Sequence, residues 1–278
     1  MIGFARASDV SEQKLQINFK NCLRPTFSPE HGVLLVLLGS VVTGSALAQA
    51  WNYCTTLAFI CAFFALQAEH PLVVQIKQRS TWKPRFLIWS GIYGTVAIAI
   101  AIWLWFQSPV LVWIYALALI AFIADVVAVL QKKHKSILNE LVTFAGICLS
   151  TPLAYAATTH SLCVEVIAIW LLNTLFFGSA IFSIKLRRKK TSSPILGVTY
   201  HVIASTIVAG FYLLGWLNIF TALAFVVALI KFAVAVGLRS WYCKARFQYI
   251  AIFETRFALI YVAIAAISVL PAHLPVVS

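Results

Sequence analysis

Glu69-His70-Pro71 sets a carboxylate, a titratable ring and a helix breaker side by side within an otherwise apolar stretch. Proline removes a backbone N–H and disturbs the preceding turn, and backbone opened inside a membrane tends to line a cavity; a plain kink is the alternative. Polar residues interrupt other apolar stretches as well: Glu30 and His31, Asp125, Asn139 and Glu140, Asn173, His201, Lys231, and Glu254 with Arg256. Together with Glu69 and His70 these are the candidate pocket residues. A carboxylate or imidazole can take a proton from a reacting group, and Glu69, Asp125 and His201 are the candidates for that role. Lys and Arg pair with phosphate, which makes Lys77, Arg79, Lys132, Arg187 and Arg188 candidates for a phosphate or headgroup contact.

Other chemistries lack their residues. The six cysteines form no C-x-x-C pair and no Cys/His cluster at zinc spacing, so no metal site is predicted. There is no G-x-x-x-x-G-K-[ST] loop for a nucleotide and no G-x-S-x-G elbow for a serine hydrolase. An ATP-driven pump and a membrane esterase are thereby disfavoured.

The elements that must position the polar residues follow from composition. Of 278 residues, 62% are apolar and 10% charged, and the mean hydropathy is +0.93; a chain of this kind is stable in a bilayer and aggregates in water. At about 20 residues per span the length accommodates nine spans, expected at 33–50, 54–74, 86–106, 110–130, 137–157, 163–184, 195–215, 219–238 and 255–270. The fold class is therefore all-α, a polytopic membrane helix bundle. A segment 1–32 precedes the span domain 33–271, and a tail 272–278 follows it. The first apolar run resembles a cleavable signal peptide, but a long preceding region with Asp9, Glu12 and Glu30 favours a retained span.

All of the 21 basic residues except Lys231 and Arg256 fall in alternate gaps between these spans. By the positive-inside bias the N-terminus is cytoplasmic and the C-terminus is on the opposite side. The net charge of +13 is thus accounted for by topology and by attraction to anionic lipid, and no nucleic-acid partner is expected. Seven of the eight acidic residues lie toward the same side; only Glu165 is placed at the outer face.

A charge at mid-membrane costs about 2.5 to 3.5 kcal/mol, so polar groups in six spans at a similar depth point to a shared pocket open to the cytoplasm. Each could instead sit separately at the headgroup boundary. Asp125 and Lys231 are deep enough to form a mutual ion pair, while Asn52 and Asn173 read as interhelical hydrogen-bonding groups.

The stretch Arg24-Pro25-Thr26-Phe27-Ser28-Pro29-Glu30-His31-Gly32 resembles the Glu-His-Gly opening of the YwiC-like membrane proteins, and Asn139-Glu140, Tyr200-His201 and Ile250-Ala251-Ile252-Phe253-Glu254 are similar to later parts of that pattern. The resemblance implies an integral membrane protein and no particular reaction. More distantly, the nine spans, the cytoplasmic N-terminus and Lys132-Lys133-His134-Lys135 followed by Asn139 and Gly146 resemble UbiA-type prenyltransferases. Those enzymes hold Mg²⁺ and prenyl diphosphate through Asp-rich motifs after the second and sixth helices. Here those places carry Glu69-His70-Pro71 with Gln75 to Arg79, and Asn173 with Lys185 to Lys190. Mg²⁺ needs several oxygen ligands, and Glu69 is the one nearby carboxylate, so no cofactor is predicted.

The expected function is that of a non-catalytic isoprenoid, quinone or lipid binder, or of an assembly factor for a partner membrane complex. An unconventional prenyl or lipid transferase ranks second. Small-solute transport ranks third, because it calls for polar groups on both faces.

Overall fold

Within hydrocarbon a single apolar segment can satisfy its own backbone only as a helix. In the computed structural model the described residues are 25–27, 31–78, 83–133, 135–187 and 193–270, and they are all-helical. Glu30, Arg79, His134, Arg188 and the side chain of His31 lie outside the described residues.

The helices are α1 (His31–Ala48), α2 (Tyr53–Gln78), α3 (Pro84–Gln107), α4 (Leu111–Leu130), α5 (Ile137–Cys148) and α6 (Ser150–Thr159), then α7 (Val164–Lys185), α8 (Ile195–Leu213), α9 (Ile219–Leu223), α10 (Val226–Gly237), α11 (Arg239–Lys244) and α12 (Phe247–Ser268). With α5–α6 and α9–α10 each taken as one crossing, eight stretches are long and apolar enough to span a membrane. α1 is a shorter apolar helix of 18 residues, about 27 Å at 1.5 Å per residue. The chain is a multi-span membrane protein.

The expected span at 219–238 is split into α9 and α10, and two other departures have identifiable reasons. The span expected at 137–157 is broken at Leu149, where Pro152 cannot donate to the Cys148 carbonyl four residues back and its ring crowds that oxygen. The last span begins at Phe247, eight residues before the expected start at 255. Glu254 and Arg256 looked like a membrane boundary, yet Glu254 is compensated by Lys231 and the helix carries both charges within it.

α1 lies in the middle of the bundle, against α6, α12, α5 and α7. Val36, Leu37 and Val41 are buried there with Leu172, Phe176 and Tyr261. The approach of α1 to α6 depends on Gly44, where a Cβ would overlap the Thr151 carbonyl. α2 and α3 form a hairpin in which Ser90 donates to the Ala68 carbonyl at 2.8 Å and Cys61 to that of Ala97 at 3.3 Å. Pro71 does not interrupt α2.

The two ends of the bundle differ chemically. Lys77, Lys83, Arg85, Lys132, Lys135, Lys185, Arg187, Arg239 and Arg246 stand at or beside helix ends on one side. The other end is tied by neutral hydroxyls: Thr55 to Thr158 at 2.6 Å, Ser108 to the Ala156 carbonyl at 3.1 Å, and Thr221 to Ser268 at 2.8 Å. Asn52, expected to bridge helices, instead caps α2 by accepting from the Thr55 N–H at 2.9 Å; the interhelical bond belongs to Thr55.

Candidate functional site

α5 begins with a hydrogen-bonded cap. Ser136 accepts from the Asn139 N–H at 3.2 Å, as an N-cap serine does for the third residue of its helix. This fixes the Asn139 side chain, which donates through Nδ2 to Asp125 Oδ1 on α4 at 2.7 Å. One turn on, Thr143 donates to the Asn139 carbonyl. Asn139, Thr143 and Ile147 are four residues apart and so share a helical face, polar at its start and apolar about 12 Å deeper.

That face closes a cavity of about 430 Å³ together with the start of α1, the second half of α2 and the end of α4. Glu69, His70, Lys77, Asp125, Asn139 and Glu140 line it, with Leu66, Phe144 and Ile147 at its inner part. Leu66, His70, Val73 and Lys77 follow helical spacing, so α2 shows the same gradient from charged end to apolar interior. Pro71 has no N–H to offer the Gln67 carbonyl four residues back, and Gln67 also lines the cavity.

Glu140 is paired with Lys185 on α7. Lys185 therefore compensates a cavity carboxylate without lining that cavity. Gln67, Thr143, Lys135 and Lys185 were not singled out by residue type: the two lysines look like topology residues, and Gln67 and Thr143 are uncharged. Ser136 with Asn139 three residues on was the one local signal available.

The remaining candidates sit elsewhere. Lys231, 2% exposed, pairs with Glu254 at 2.9 Å, so of the arrangements open to Asp125 and Lys231 the structure has two separate pairings, Asp125 with Asn139 and Lys231 with Glu254, and not a mutual ion pair. Helix rotation decides this, because it turns Lys231 of α10 toward α12 and Asp125 of α4 toward α5. Tyr242 on α11 donates to Glu254 Oε1 at 3.0 Å. Burial, and next the Glu254 carboxylate, hold the Tyr242 hydroxyl above its ordinary range, so it remains a donor.

Lys231 Nζ also lies 5.1 Å from the centre of the Phe176 ring, and Phe176 stacks on Tyr261 at 3.7 Å. Tyr261 donates to Asn173 Oδ1 at 2.7 Å, and Asn173 donates to Thr43 and Thr151 at 2.8 Å each. Asn173 thus links α1, α6, α7 and α12. His201 Nδ1 contacts the Gly197 carbonyl at 2.7 Å, the ring stacks on Phe232, and Nε2 has no hydrogen-bond partner among the described residues.

Arg256 is exposed. Lys132 is exposed at the end of α4 with φ 59°, and Arg187 donates to the Ala245 carbonyl at 2.6 Å. Lys77 and Arg187 thus do not share one cavity. The single pocket expected from six spans is two clusters, one among α1, α2, α4 and α5 and the other among α7, α8, α10, α11 and α12. No group of three or more His, Cys, Asp or Glu among the described residues is arranged to hold a metal ion.

Every residue lining the larger cavity lies between Val33 and Ile147, and that interval falls within a recognised family pattern. Residues 27–155 match the model of the YwiC-like protein family. No curated protein and no solved structure matches the chain. The YwiC-like stretch takes in Glu30-His31-Gly32 and Asn139-Glu140 and ends before Tyr200-His201 and Glu254. The larger cavity is therefore wholly YwiC-like in sequence, while the Lys231–Glu254 cluster lies in the part of the chain beyond the match.

Proposed function

We propose that this YwiC-like membrane protein is a non-catalytic binder of a lipid-soluble molecule with an uncharged polar head, of the isoprenoid quinone class, and that it presents or retains this molecule for a partner membrane complex. The observation that carries the reading is the larger cavity, about 430 Å³ with charged residues toward one end and apolar residues within. Small-molecule sites commonly have volumes of about 300 to 1,000 Å³ with a few placed polar groups.

Charge separates the possible heads. Glu69, Asp125 and Glu140 line the cavity together with Lys77 and Lys135, and Glu140 and Asp125 are already engaged by Lys185 and Asn139. With Lys185 counted against Glu140, three carboxylates face three lysines, which leaves no surplus positive charge to hold a diphosphate that arrives without a metal. A carbonyl or hydroxyl head finds both donors and acceptors there. The same balance counts against the UbiA-like transferase reading, in which Lys77, Arg79, Arg187 and Arg188 would clamp diphosphate, and Arg187 does not line the cavity that Lys77 lines.

Lipid extraction and native mass spectrometry of the purified full chain test this reading. A co-purifying isoprenoid or quinone at about one per chain is expected, depleted in Thr143→Trp, which fills the cavity. Recovery of bulk phospholipid alone overturns it. Turnover of labelled prenyl diphosphate with a quinone precursor, lost in Glu69→Ala or Asp125→Ala protein that still folds, would overturn the non-catalytic assignment.

A further inference from the structure

A second cavity, of about 250 Å³, shares Lys135 with the larger one and adds Ser193, Phe182 and Leu196, which the reading above leaves aside. It lies where the start of α5, the end of α7 and the start of α8 meet, at the basic end of the bundle. Lys135, Ser136, Lys185 and Ser193 form its polar side, and Phe182 and Leu196 are on its apolar side.

The charge of this site follows from its neighbours. Lys135 and Lys185 bring two ammonium groups, and Glu140 compensates Lys185, which leaves one positive unit among the described residues. Ser136 accepts from the Asn139 N–H at 3.2 Å and Ser193 from the Ile195 N–H at 3.3 Å. Each hydroxyl oxygen is thereby engaged as an acceptor while its own proton is there to be donated. α5 and α8 both begin at this point, so the positive ends of two helices add to the lysines.

The apolar side indicates what kind of anion fits. Ile195, Leu196 and Val198 are exposed at the start of α8, on a helix that is long and apolar enough to span the bilayer. A ligand in this cavity therefore has ammonium and hydroxyl groups on one side and a surface continuous with hydrocarbon on the other. We infer that the cavity is a binding site for the phosphodiester headgroup of an anionic phospholipid, with Lys135 and Lys185 on the phosphate and the glycerol and first acyl carbons along Phe182 and Leu196. A phosphodiester carries one negative charge, equal to the surplus among the described residues. Free phosphate offers the same oxygens and nothing for the apolar wall.

The test is titration of the delipidated full chain with phosphatidylglycerol, phosphatidylcholine and inorganic phosphate, read by native mass spectrometry. One tightly held phosphatidylglycerol per chain is expected, with phosphatidylcholine not retained and inorganic phosphate unable to displace the lipid. Lys135→Gln, which keeps the Lys185–Glu140 pair, should weaken retention about tenfold through loss of one charge-assisted contact. Ser193→Leu should also weaken it; this residue lines only the smaller cavity, so its effect is independent of any ligand in the larger one. Equal retention of the two lipids, or wild-type retention by both variants, overturns the inference. Displacement of the lipid by inorganic phosphate at comparable concentration overturns the lipid assignment in favour of a free anion.

Discussion

Glu140 and Lys185 pair across the partition between two cavities: the carboxylate lines the larger and the ammonium lines the smaller. Lys135, whose carbonyl accepts from Lys185 at 3.4 Å, lines both. The larger cavity therefore has less negative charge, and the smaller one less positive charge, than their lining residues alone would give.

Lys185→Met should be more harmful than Glu140→Gln. The first leaves a carboxylate without its cation, at a cost of about 1 to 3 kcal/mol, whereas the second retains an acceptor for the ammonium. Thermal unfolding in detergent measures both, and equal losses would contradict this ordering.

The Lys231–Glu254 pair should show strong coupling. Removal of one member of a buried pair costs about 3 to 5 kcal/mol, while replacement of both by apolar residues of similar volume is nearly neutral. Lys231→Met is thus expected to destabilise severely and Lys231→Met with Glu254→Leu to recover most of the loss. A double-mutant cycle with additive losses would show that the 2.9 Å contact is not energetically coupled.

Asn139→Leu should cost about 1 to 3 kcal/mol because it strips Asp125 of a hydrogen bond at 2.7 Å. Asp125→Asn keeps an acceptor oxygen at that position and should be the milder change. Chemical denaturation of the two variants distinguishes them, and the reverse order would mean that Asp125 is held chiefly by other groups.

Gly44→Val should force α1 away from α6, since even a Cβ would overlap the Thr151 carbonyl. Overpacking of this sort costs about 1 to 3 kcal/mol. A lowered unfolding temperature is expected, together with disturbance of the Asn173 bonds to Thr43 and Thr151. Gly91 has open space around it, so Gly91→Ala should leave stability nearly unchanged.

Two cysteines report on the ends of the bundle. Cys243 is on α11 at the basic end, and Cys163 precedes α7 at the other. In variants that keep one of the two and carry serine at the remaining cysteines, an impermeant maleimide should label them from opposite sides of sealed vesicles, with Cys243 on the cytoplasmic side. Burial pushes the Cys163 thiol above its ordinary value of 9.0. The thiolate is the reactive form, so its labelling should be slow at neutral pH and accelerate as pH rises beyond that value. Labelling of both cysteines from one side would refute the topology.

The sequence by itself determined that this chain is an all-helical membrane bundle with one basic end, because burial in hydrocarbon constrains each span separately and reads directly from composition. It also indicated Glu69, Asp125, Asn139 and Glu140 as polar intrusions near that end, since charge in an apolar run is costly wherever it occurs. Their partners were not legible. Asp125 and Lys231 have similar depths in sequence, and only the order and rotation of the helices turn one toward Asn139 and the other toward Glu254. The early start of α12 was hidden for the same reason: Glu254 ends a span when unpaired and can lie within one once Lys231 faces it. Tertiary structure alone decided that the polar residues form two clusters, and that Lys185, indistinguishable in sequence from a topology lysine, joins Glu140 between two cavities, because pairing depends on neighbours brought together from distant parts of the chain.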